Sequence, residues 1–98
     1  MSVMRITGGK GVHFTFENGW TISIQIGGGN YCDNYDFPIG QERERELPPS
    51  SQAEIAYWPA SREMQTFDGG DTVKGYVPIE EVLDWINKVR SLPAQVSP

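Results

Sequence analysis

Apolar and polar positions alternate with a period of two along VHFTFENGWTISIQI, residues 12–26: Val12, Phe14 and Phe16 before an Asn-Gly pair, Trp20, Ile22, Ile24 and Ile26 after it. The alternation predicts two strands joined as a hairpin. A two-residue turn at Asn18-Gly19 would put the two apolar sets on opposite faces, because a slip of one residue inverts every side chain. A three-residue loop, Glu17-Asn18-Gly19, with Gly19 in the left-handed conformation of a G1 bulge, instead pairs Phe16 with Trp20, Phe14 with Ile22 and Val12 with Ile24. All the apolar residues then share one face, and His13, Thr15, Thr21, Ser23 and Gln25 share the other.

Three further strands are predicted downstream. AEIAYW (53–58) ends at Pro59, EMQTF (63–67) follows the turn-forming PASR, and DTVKGYV (71–77) follows Asp68-Gly69-Gly70; together they form an antiparallel meander. Pro78 suits the first position of a helix. Ile79, Val82, Leu83, Ile86 and Val89 recur at helical spacing as one apolar stripe, Glu80 and Glu81 occupy the first turn, and Lys88 and Arg90 lie near the last, as the helix dipole favours. Pro93 stops it. The fold class expected is α+β: an antiparallel sheet of about five strands, N-terminal hairpin plus C-terminal meander, packed by one C-terminal helix. One domain spans residues 1–98, with a long irregular loop at 27–52 and a frayed tail at 93–98.

Charge narrows the partners. Thirteen acidic against eight basic residues leave a net charge of −5, which opposes direct nucleic-acid binding, since phosphate neutralisation needs a basic face. The first residues contain no apolar leader core and no run is long enough to span a bilayer, so a cytoplasmic chain without membrane contact is expected. The single Cys32 cannot close an internal disulfide. For so small a core, a homo-oligomer would add buried surface.

The chemistry on offer gathers in IGGGNYCDN, residues 26–34. Gly27, Gly28 and Gly29 after a strand permit a sharp bend, or let backbone N–H groups approach a small anion. No G-x-G-x-x-G or Walker ending accompanies them, so no nucleotide fingerprint is present. Cys32 with His13, oriented by Asp33 or Asp36, has the residue types of a thiolate–imidazole pair but no motif around it, and Cys32 is expected as a small apolar filler. One Cys and one His fall short of a zinc set, and Asp33, Asn34, Asp36, Asp68 and Asp71 match no calcium loop, so no metal or cofactor is expected. Charge alternates through residues 42–46, ERERE, as in a solvated segment, an edge strand or a partner contact. Asn30, Tyr31, Asp33 and Asn34 supply two amides, a ring and a carboxylate from one short loop, the residue types of a recognition surface. The binding residues expected are Gly28, Gly29, Asn30, Tyr31, Asp33 and Asn34. Trp58, out of phase with Ile55 and Tyr57 and so exposed, stands beside them with His13 and Gln25.

FENGWTISIQIGGGNYCDN, AEIAYW and GGDTVKGYVPIEEVLDWINKV together resemble a family of small proteins encoded by bacteriophages and prophages, over most of the chain outside residues 35–51 and the tail. No activity comes with the resemblance; what it implies is a setting inside a bacterial host cell. The function expected is a non-enzymatic accessory protein that binds and inhibits a host defence protein or sequesters a small nucleotide-like signal. A small Cys/His or carboxylate enzyme and a virion or assembly component are the alternatives.

Overall fold

The computed structural model describes residues 1–8, 10–39 and 48–94. Five strands, β1 (Val3–Thr7), β2 (Gly11–Thr15), β3 (Thr21–Gln25), β4 (Gln52–Trp58) and β5 (Lys74–Pro78), precede one helix, α1 (Ile79–Arg90). They form one antiparallel sheet in the order β1-β2-β3-β4-β5, each strand beside its neighbour in sequence. This is the α+β fold expected. Among the described residues no helix is long and apolar enough to cross a membrane.

The hairpin takes the bulged register. Val12 faces Ile24 and Phe14 faces Ile22; Phe16 N donates to Trp20 O at 2.9 Å, Gly19 N donates to Phe16 O at 2.9 Å, and Gly19 has φ +87°. A β-branched residue is strained at that φ, so Gly19→Val is expected to lower stability by about 1 to 2 kcal/mol in urea denaturation. An unchanged midpoint would contradict the bulge.

Strand membership differs from the sequence reading at two places. EMQTF is not a strand: its link to β4 is a single backbone bond, Gln65 N to Tyr57 O at 3.0 Å. A left-handed Arg62 (φ 69°) turns the chain just before it, and Phe67 leaves the sheet line to pack edge-on against Tyr57 and Trp85. Only the second part of DTVKGYV, with Pro78, is a strand, and this Lys74–Pro78 stretch lies directly beside β4. The fifth strand is instead β1, whose Met4/Ile6 alternation and following Thr7-Gly8 turn were its sequence signal.

Helix α1 covers β3, β4 and β5 and does not reach β1 or β2. Its buried contacts are Val82 and Val89, with Trp85 and Ile86 packed beside them against Ile22, Ile55, Ala53 and Val77. The stripe is thus centred on Val82, Trp85, Ile86 and Val89, and Ile79 and Leu83 sit outside it, more than half exposed. The hairpin turn latches the far end of the helix. Asn18 Nδ2 donates to the carbonyls of Val89, Arg90 and Leu92 at 3.0, 3.1 and 2.9 Å, Asn18 Oδ1 accepts from Trp20 N at 3.1 Å, and Trp20 Nε1 donates to Pro93 O at 2.9 Å. The start of the expected frayed tail is therefore tied down at Pro93; residues 95–98 lie outside the described residues, as does the ERERE segment.

Candidate functional site

The sheet face opposite the helix carries the residues that alternate with the core positions along each strand. His13, Thr15, Thr21, Ser23, Gln25, Glu54 and Trp58 lie there, joined on β1 by Arg5, which faces His13 across the ladder. Strands β2 and β4 flank β3, so their backbones are roughly 9 to 10 Å apart. The His13 and Trp58 rings nevertheless stand 5.1 Å apart at an interplanar angle of 81°. Both side chains lean inward over β3 and close an aromatic corner, which accounts for the burial of the small polar Thr21 and Ser23 on a face that no helix covers.

A concave site of about 430 Å³ opens from this corner, lined by Arg5, His13, Thr15, Thr21 and Trp58 from the strands and by Arg62 from the turn after β4. Thr15 and Thr21 hydroxyls bond each other at 2.8 Å. Arg62 is held in the left-handed region, φ 69°, with its N–H donating to Pro59 O at 2.8 Å; strain of this kind persists where the surroundings impose it. Neither Arg5 nor Arg62 makes an ion pair with a carboxylate among the described residues. Burial, and secondarily the Arg5 guanidinium, hold the His13 imidazole below its ordinary pKa, so at neutral pH the ring is uncharged. In a chain of net charge −5, two guanidiniums without a carboxylate partner among the described residues, beside an imidazole, two hydroxyls and an indole, make a local anion-attracting cleft.

The glycine-rich loop lies at the other end of the sheet. Gln25 faces Glu54, whereas Thr21 faces Trp58; four strand residues, roughly 13 Å, separate the two ends. The residues expected to form one site therefore divide. His13 and Trp58 belong to the cleft. Gln25 spends its amide on Thr7 Oγ1 at 2.7 Å and Ser23 Oγ at 3.1 Å, stretched across Gly11, where a Cβ would meet it at 2.3 Å.

Within the loop the polar groups bond to the chain itself. Asn34, 9% exposed, accepts from Gly27 N at 2.6 Å and Cys32 Sγ at 2.9 Å through Oδ1 and donates to Pro48 O at 2.7 Å through Nδ2. Asn30 Nδ2 donates to Ile26 O at 2.9 Å, and Asp33 Oδ2 accepts from Ser51 N at 2.8 Å and from Ser51 Oγ at 2.5 Å. The Ser51 hydroxyl, then its N–H, hold the Asp33 carboxyl below its ordinary pKa, so this tie is complete at neutral pH and is lost as pH falls below the usual aspartate range. Gly28 has no room for a side chain because a Cβ there would lie 1.9 Å from Phe37 O, and Gly29 adopts φ +83°. The aromatic side chains that the loop leaves exposed are Tyr31 and Tyr35.

Cys32 is 2% exposed and its contacts are Asn34 and Gly27, whereas His13 packs on Trp58; thiol and imidazole have different neighbours. Among the described residues no three His, Cys, Asp or Glu side chains group as metal ligands. Arg5 and Arg62 were not identified from sequence. Their signal was an arginine facing the polar side of a strand and another inside the PASR turn, both away from any run of charge. Comparison with protein-family models, curated proteins and solved structures returns no match.

Proposed function

We propose that this chain is a non-enzymatic binding protein that sequesters a small nucleotide-like anion in the cleft on the open sheet face. The observation that carries the reading is the meeting of Arg5 and Arg62, unpaired with carboxylates among the described residues, beside the His13–Trp58 corner. Planar guanidiniums bind phosphate oxygens in bidentate fashion, and an indole packs against a base. The volume of about 430 Å³ falls in the range of small-molecule sites, roughly 300 to 1,000 Å³. In the phage setting that the sequence resemblance suggests, such a protein would act by withdrawing a host defence signal, with binding stoichiometric and the ligand released unchanged.

Cyclic adenosine monophosphate, with adenosine as the uncharged control, tests the cleft by calorimetric titration. The phosphodiester is expected to bind at least about 10-fold tighter than adenosine, and Arg62→Ala to weaken it by about 10-fold to 100-fold, the range for losing a charge-assisted hydrogen bond. Equal affinity for the two compounds, or an Arg62→Ala protein that binds like wild type, would remove the reading. Mass spectrometry of small molecules released on denaturing protein purified from cells identifies the natural ligand.

The imidazole adds a pH dependence. Free His13 titrates below its ordinary value, with Arg5 and Arg62 and no carboxylate among the described residues that line the cleft, and a bound phosphodiester stabilises the imidazolium and raises that value. Binding therefore takes up protons: affinity is expected to rise as pH falls through the imidazole range and to level off below the free-state pKa. The phosphodiester keeps its own charge throughout. His13→Asn is expected to flatten the profile, and a flat wild-type profile would count against His13 as a contact.

A further inference from the structure

Three exposed tyrosines form a stack at the β5 edge. Tyr31 lies between Tyr35, with centroids 5.7 Å apart and planes 4° from parallel, and Tyr76, 5.9 Å and 29° away. They remain 46%, 43% and 55% exposed respectively. The chain is shaped to hold them there. Ala53 faces Val77 and Ile55 faces Lys74, so Gly75 and Tyr76 together oppose the single Glu54: a bulge, which re-aims the side chains of the strand that carries it. Tyr76 occupies the left-handed region at φ 55°, and its N–H donates to Tyr31 O at 2.8 Å. Gly75 is required by the same contact, since a Cβ there would sit 2.5 Å from the Cβ of Tyr31. On the other side, the internal bonds of Asn30, Asp33 and Asn34 fix the backbone that carries Tyr31 and Tyr35. A strained tyrosine, a bulge and a braced loop converge on rings that contribute little to the core.

The surroundings of the stack are acidic. Tyr31, Asp71, Val73, Gly75 and Tyr76 line a concavity of about 370 Å³ beside it, with no basic side chain among the described residues that line it. Asp36 is exposed next to Tyr35, and Tyr31 N donates to Glu54 Oε2 at 3.1 Å. Lys74, the nearest cation in the strand, pairs with Glu81 of the helix at 3.9 Å on the opposite face. Rigid, stacked, solvent-facing tyrosines flanked by carboxylates suit a planar cation, which stacks on the rings while its N–H groups reach the acids. We infer that the Tyr31–Tyr35–Tyr76 stack and Asp71 dock an arginine-bearing segment of another protein. A second copy of this chain fits less well, because a two-fold contact would set Asp71 and Asp36 against their own equivalents, and a nucleic-acid strand is repelled by the same carboxylates. This surface shares no residue with the Arg5–Arg62 cleft and does not rest on its assignment.

An Arg-Gly repeat peptide, with Lys-Gly and Glu-Gly repeats of equal length as controls, tests the inference by calorimetric titration on the full chain. The arginine peptide is expected to bind at least about 3-fold tighter than the lysine peptide, the margin that guanidinium stacking adds to equal charge, and the glutamate peptide is expected not to bind. Tyr35→Ala and Tyr76→Gly should each weaken the arginine peptide by at least about 3-fold. Tyr76→Gly removes the ring while relieving the left-handed backbone, so its melting temperature should not fall, which separates lost binding from lost fold. Arg62→Ala in the cleft should leave peptide binding unchanged. Equal affinity for arginine and lysine peptides, wild-type binding by both tyrosine variants, or self-association abolished by Tyr35→Ala with no peptide binding would each overturn it.

Discussion

Asn18→Asp is expected to destabilise the protein by about 3 kcal/mol, and by more than Asn18→Ala at about 2 kcal/mol, although aspartate suits an Asx-Gly hairpin turn about as well as asparagine does. The reason lies at the far end of the chain. Asn18 Nδ2 donates to the carbonyls of Val89 and Arg90 in the last turn of the helix and of Leu92 just beyond it, where carbonyls lack intrahelical partners; Val89 O also accepts from Leu92 N at 3.2 Å. Alanine removes the Asn18 donor from the Arg90 and Leu92 carbonyls. Aspartate also turns a donor into an anion against the negative end of the helix dipole. Its carboxyl would be pushed above the ordinary aspartate pKa, so the folded variant binds a proton more tightly than the unfolded chain, and the deficit relative to wild type should shrink as pH falls through that range. Urea midpoints of the two variants across pH measure it. A melting curve for Asn18→Asp that matches wild type at neutral pH would show that the latch contributes nothing.

Gly28→Ala is expected to cost about 2 to 4 kcal/mol, from a methyl group forced within 1.9 Å of the Phe37 carbonyl oxygen. The obstacle is backbone, which no rotamer change relieves. Gly69→Ala is the control: Gly69 has φ +95° but open space where a Cβ would stand, so only the conformational penalty of about 1 kcal/mol applies. Parity of the two variants in thermal denaturation would mean that the approach of Gly28 to Phe37 relaxes freely.

Where the pattern was dense, the sequence specified the structure. The bulged register of the hairpin followed from the single requirement that Phe14, Phe16, Trp20, Ile22 and Ile24 share a face, and that requirement is met. β1 carries only two alternating apolar residues, Met4 and Ile6, and both are exposed, so burial left almost no mark on its sequence. The Met-Gln-Thr-Phe stretch shows the opposite problem: its composition suits a strand, and the left-handed Arg62 before it, invisible in residue type, turns the chain away. The cleft was half legible. Trp58 and His13 stood out as polar-face residues, but their closure over β3 depends on side chains leaning across a strand, which periodicity does not encode. In the glycine-rich loop, an amide or carboxylate has the same letter whether it meets a ligand or its own backbone; the partners of Asn30, Asp33 and Asn34 are backbone and serine groups up to 18 residues away.

Each strand lies beside its predecessor, so although the β3–β4 and β4–β5 connections are long, the sheet pairs only strands that follow one another and can assemble in the order in which the chain is made. Asn18 has to wait. Its carbonyl partners lie 71 to 74 residues further on, and on a ribosome they emerge after every strand is already outside. The hairpin turn would therefore spend synthesis with its amide open to water, and the helix end would close on it as the final event of folding. In refolding kinetics that order gives Asn18 a φ-value near zero: its variants should unfold faster while folding at nearly the wild-type rate. The residue that joins the two halves of the chain would then govern how long the native state lasts and leave the speed of its formation unchanged.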